Sequence, residues 1–129
     1  ETRAFELGME VHEGRTSNWK GSLEAEEAGI LARRKELGIK AAVCWGDPSA
    51  NALISYCKSH GIRVPDDLAV AGFNGIEPPV EPAHVLTTVK ASWSTVAERA
   101  VYQLVAVLEG REVEPLTTLP VSLLVGNTT

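Results

Sequence analysis

The chain has 129 residues, 44% of them hydrophobic and 22% charged, with a formal net charge of −5. That length suits one ordinary domain with a single core, and the composition is that of a globular protein rather than a disordered one. The densest basic cluster is Arg33-Arg34-Lys35, so the chain by itself lacks the basic face that neutralises phosphates, and no run reaches membrane-spanning length or resembles a signal peptide.

The start at Glu1, without Met and already in helix-like sequence, suggests a segment cut from a longer chain. Residues 1–13 are expected to form a helix with Phe5, Met9 and His12 on one side and Gly14 as its stop. Residues 15–20 read as a polar loop carrying Trp19. Ser22 is placed to cap a second helix that runs to Leu37 and ends at Gly38. Residues 41–45 are nearly all apolar, as in a parallel strand covered on both faces.

Asp47-Pro48 then opens a helix. The carboxylate is expected to cap free amides, and proline at the first helical position loses no hydrogen bond. Leu53, Ile54 and Cys57 give that helix an inward side, and Gly61 ends it. A turn at residues 63–67 leads to a strand over 68–73, and the proline-rich residues 75–82 form a loop. Residues 85–90 are a short extended segment. Residues 93–109 hold the clearest helical stripe, with Thr95 and Glu98 as a capping box, and residues 119–125 form the last strand, with Pro120 near its start. Strands alternating with helices indicate an α/β layered sheet.

Within this order, residues 41–77 make one strand–helix–strand unit. The loop leaving its first strand is Trp45-Gly46-Asp47-Pro48. Carbonyl ends of strands and amide ends of helices converge at such a loop, which is where ligands bind in open α/β sheets. A ring, a flexible backbone and a carboxylate there suit a small polar molecule with an apolar face. Trp45 itself, at a strand end, is read as core. Cys57 and His60 share a helix face, but no third partner is near in sequence, so a solvated histidine is the plainer reading. Cys44 and Cys57 are not at metal-ligand spacing and read as free thiols. Asp66-Asp67 reads as turn chemistry rather than an acid–base pair.

Four motifs in order carry a resemblance. They are Cys44-Trp-Gly-Asp-Pro-Ser-Ala50, Gly61-Ile-Arg-Val-Pro-Asp-Asp67, Val70-Ala-Gly-Phe-Asn74 and Leu86-Thr-Thr-Val-Lys90, followed by the tail Leu119-Pro-Val-Ser-Leu123. Together they resemble the effector-binding domain of the lactose-repressor/galactose-repressor (LacI/GalR) family of transcription regulators. The resemblance implies a parallel-sheet, three-layer αβα lobe of the periplasmic-binding-protein-like (type I) class. Residues 1–92 would be the C-terminal lobe, residues 93–118 a segment that packs in the N-terminal lobe, and residues 119–129 the closing strand of the C-terminal lobe.

The functional expectation that follows is sensing of a small effector, a sugar or related polar ring compound. The parent would be a cytoplasmic, non-enzymatic, homodimeric regulator that reaches DNA through an N-terminal helix-turn-helix head absent from this chain. A periplasmic solute-binding protein of the same fold is the alternative. The resemblance assigns effector contacts to Asp47, Asn74, Trp93 and Trp19, and implies neither cofactor nor metal. Gly46 stands where the family usually carries Asn, and Asn74 where it usually carries a ligand-contacting Asp.

Overall fold

The computed structural model describes residues 6–13, 25–76 and 84–129. Their elements are α1 (Ala25–Ala32), β1 (Ala41–Val43), α2 (Asp47–Ser59), β2 (Ala69–Asn74), β3 (Thr87–Ala91), α3 (Trp93–Leu108) and β4 (Val121–Leu124). The strands form one sheet in the order β1-β2-β3-β4. β1, β2 and β3 run parallel, whereas β4 is antiparallel to β3.

The direction of β4 follows from α3. A crossover helix that folds back over its sheet returns the chain to the starting edge and so gives a parallel strand. Here only Ala106 of α3 is buried. The chain therefore re-enters at the edge it left, and Val121, the first residue of β4, pairs with Ala91, the last of β3. Pro120 lies just outside the strand, where its missing donor breaks no ladder bond.

The core sits on one side of the sheet. Ala50, Leu53, Ile54 and Cys57 recur along α2 at helical spacing and are all buried. They cluster with Leu68, Val70, Leu31 and Ile62, and Ala42, Cys44 and Leu86 pack against that cluster. Cys57 is buried and Cys44 half-buried.

Several helix boundaries differ from the expected ones. Residues 9–13 are not helical. The turn stops at Gly8, whose φ of +68° is the left-handed conformation that ends a helix. α1 ends at Ala32 instead of Leu37, because the bonding tightens there: the Arg34 amide donates to the Leu31 carbonyl, which also accepts from the Arg34 guanidinium. α3 starts at Trp93 with Ser92 as its cap residue and no side-chain capping bond. Thr95 instead meets the Ser92 hydroxyl at 2.7 Å, so the expected Thr95–Glu98 capping box is not formed. Ser22, residues 15–20 of the expected polar loop and residues 77–82 of the expected proline-rich loop lie outside the described residues.

Below their first paired residues, β2 and β3 are joined by the chain's final residues. The Thr128 carbonyl accepts from the Val70 amide at 2.7 Å, and its hydroxyl donates to the Val70 carbonyl at 2.8 Å. The same hydroxyl accepts from the Thr87 amide at 2.9 Å. Asn127 pairs with both the amide and the carbonyl of Val85. A polar side chain as buried as Thr128 needs partners for both its donor and its acceptor capacity, and these bonds supply them.

Candidate functional site

The carbonyl ends of β1, β2 and β3 lead into residues 44–47, 74–76 and 92–93. Asp47 is at the centre of this edge and only 1% exposed. One carboxylate oxygen accepts from the Thr88 hydroxyl at 2.5 Å, and the other accepts from the Ile76 amide at 2.6 Å. Gly46 takes the N-cap position of α2, which has no side-chain capping bond. Asp47 is therefore the first helical residue, and its side chain turns inward across the sheet. This corrects the expected capping role. Pro48, at the second helical position, still costs the helix no bond.

Asn74 closes β2 with φ 108°, a positive value rare for a residue with a side chain. Backbone held in such a region costs of order 1–3 kcal/mol and concentrates at functional sites. Gly75 follows, also at positive φ (67°), and the reversal turns the Ile76 amide toward Asp47. Asn74 is half-buried, and its side-chain amide lies beside the Gly46 backbone: a Cβ added at Gly46 would sit 3.7 Å from the Asn74 amide nitrogen. That amide offers both a donor and an acceptor to a ligand. Lys90 pairs with Asn74 in the sheet register and is exposed.

Trp93 is 52% exposed, and its indole N–H donates to the Asn74 carbonyl at 3.3 Å. Two of the four expected contact residues, Asn74 and Trp93, are thus neighbours at one edge, with Asp47 buried beneath them. Trp19, the fourth, lies outside the described residues. Trp45 was expected in the core and is 51% exposed instead. It lies two residues beyond Val43, the last paired residue of β1, and shares the sheet face of Val43, which is 84% exposed, while α2 covers the other face through Ala42 and Cys44.

Among the described residues, the remaining titratable groups do not build a second site. Burial pushes the Cys57 thiol up, against a smaller opposing pull from Arg34, which makes it a poor nucleophile. His60 faces solvent with its ring stacked on Tyr56 at 3.9 Å, away from the core that holds Cys57. Among the described residues no group of three His, Cys, Asp or Glu side chains is arranged to hold a metal. Asp66 and Asp67 both pair with Arg63 in the turn before β2. Hydrogen bonds from Arg63 hold the Asp67 carboxyl well below the usual carboxylate range.

Thr88 and the Ile76 amide were missed as members of the site. The one local signal was the pair Thr87-Thr88 at the start of a strand that follows Leu86, where buried hydroxyls call for partners.

A family model described as a periplasmic binding protein-like domain matches residues 3–129. The chain belongs to that family. An arabinose metabolism transcriptional repressor of Geobacillus stearothermophilus is 29% identical over 98 residues, which cover 76% of this chain and 27% of that protein. The helix-turn-helix-type transcriptional regulator GntR of Escherichia coli is 38% identical over 88 residues, covering 65% of this chain and 25% of that protein. A solved structure of a LacI family transcriptional regulator from Arthrobacter sp. FB24, in complex with lactose, superposes with a TM-score of 0.74 at 25% identity. That likeness covers 99% of this chain and 48% of the other. The chain is thus a periplasmic binding protein-like domain with a likeness to parts of LacI-type transcription regulators, and it spans about a quarter of the length of these curated relatives. The relatives are transcription regulators and not enzymes. No helix among the described residues is long and apolar enough to cross a membrane.

Proposed function

We propose that this chain is the effector-sensing lobe of a cytoplasmic, homodimeric transcription regulator of the lactose-repressor/galactose-repressor type. The observation that carries the reading is the meeting of Asn74 and Trp93 at the carbonyl ends of the parallel strands, with Asn74 in a strained backbone conformation. On this reading the Asn74 amide fixes hydroxyls of a sugar-like ring while the Trp93 indole stacks on its apolar face. Trp19 belongs to the same set of contacts. Asp47 is buried and holds the Ile76 amide of the turn that follows Asn74.

The lobe is half of a cleft. Residues 93–118 are assigned to the opposite lobe and residues 119–129 to the return strand. Most of the α3 apolar side is exposed, Leu108 to 77%, which supports that assignment. Closure of the two lobes on an effector would shift a dimer between DNA-competent and incompetent arrangements, with DNA held by a helix-turn-helix head preceding this segment. The chain itself is assigned no catalytic step.

The test is a thermal-shift screen of the longer protein against sugars, sugar acids, polyols and nucleobases. A stabilising compound should lose its effect in Asn74→Ala and in Trp93→Ala. A hit whose stabilisation survives both changes places the effector elsewhere and overturns the assignment.

A further inference from the structure

We propose that Asp47 is a positioning residue that presets the effector site without touching the effector. Its carboxylate ties three separate parts of the chain together. It leads α2, it accepts from the Thr88 hydroxyl on β3, and it accepts from the Ile76 amide in the loop after β2. Each oxygen accepts one bond and the residue is 1% exposed, so the carboxylate is shielded from the open edge. The space it fills is kept by Gly72, where an added Cβ would collide with the Asp47 carboxylate and with Leu86.

The bond to Ile76 has a specific consequence. Asn74 and Gly75 both hold positive φ, and this double reversal is what brings the Ile76 amide back over the sheet. Asp47 closes the reversal by accepting that amide. An unsatisfied Ile76 N–H would favour relaxation of Asn74 to an ordinary φ, because a donor left without a partner weakens the conformation that strands it. The same reversal fixes the Asn74 carbonyl where the Trp93 indole N–H reaches it at 3.3 Å. The carboxylate thus sets the relative placement of an amide and a ring through its bonds to Ile76 and Thr88. Calling these the effector-contacting groups rests on the function proposed above, but the positioning itself does not.

The test uses the full chain with Trp19→Phe and Trp45→Phe, so that Trp93 is the only indole. Exchange of the Ile76 amide is read by NMR and the Trp93 environment by its emission. Asp47→Ala should speed Ile76 exchange by about tenfold or more, the worth of roughly one net hydrogen bond, and shift Trp93 emission to the red. Asp47→Asn should restore both readouts, since its carbonyl oxygen can accept the Ile76 amide while its NH2 donates to Thr88. Thr88→Val should leave Ile76 protected and move Trp93 less than Asp47→Ala does. A merely structural carboxylate would lower the melting temperature without moving either readout below the transition. A folded Asp47→Ala chain with parental exchange and emission overturns the proposal. If Asp47→Ala fails to fold, Asp47→Asn decides: parental Ile76 protection and Trp93 emission support the proposal, and loss of either overturns it. Neither readout needs an effector, so an empty effector screen would count against the proposed function and leave this inference standing.

Discussion

Gly72 shows how much of this molecule is decided at single positions. Its missing side chain is the room that the Asp47 carboxylate occupies, next to Leu86. Gly72→Ala forces that carboxylate or the strand to move, and overpacking of this kind costs about 1–3 kcal/mol. The midpoint of urea unfolding should fall accordingly, and an unchanged midpoint would mean that the site has slack the contacts do not show. Arg63 and Asp67 offer a residue-scale prediction in pH. Hydrogen bonding from Arg63 lowers the folded Asp67 pKa below its unfolded value. The stabilisation is therefore full above the ordinary Asp pKa of about 3.9 and disappears as pH falls through the lower folded value. Asp67→Asn should flatten the acid limb of the stability curve below about pH 4, and salt should weaken the parental effect because the pair is exposed.

Among the elements, α2 and α3 are both apolar along one side, yet they stand in opposite relation to the sheet. α2 buries Ala50, Leu53, Ile54 and Cys57, so Leu53→Ala should cost about 2–5 kcal/mol in chemical denaturation. α3 exposes Val101, Leu104, Val105 and Leu108, so Leu104→Ser in this chain should change stability by less than about 0.5 kcal/mol. A large loss from Leu104→Ser would show that α3 is packed after all. The sequence pattern made both helices legible, because apolar spacing reports that a helix has a face to bury. It does not report against what. The same limit applied at Asp47. Asp-Pro before a helical run matches a cap, and the local pattern predicted one. The partners that claim the carboxylate lie 29 and 41 residues away. Trp45 failed for a related reason, since an apolar strand residue is core only if something covers its face.

For the whole molecule, the class was legible from alternation and from the family motifs, while the order of the strands in the sheet and the reversed direction of β4 were not. That direction depends on where α3 releases the chain. On the two-lobed reading, the exposed sides of α3 and β4 are surfaces that the longer protein covers. Backbone exchange across residues 101–108 should then be fast in this chain and markedly slower in a form carrying both lobes. Equal rates in the two would argue that α3 stays at the surface and would remove the basis for assigning residues 93–118 to the opposite lobe.

The bonds between Val70 and Thr128 join positions 58 residues apart, and those of Thr87 and Thr88 reach across 41. Distant partners must meet before such bonds return any stability, and closing long loops delays that meeting. This chain should accordingly fold more slowly than a helical bundle of equal length, with β2 among the last elements to become protected in a pulse-labelling experiment. Proteolytic scission within residues 111–119 would remove no core side chain. It would still turn the closing step from an intramolecular event into a bimolecular one, and the edge that carries Asn74 would lose its hold along with the strand beneath it.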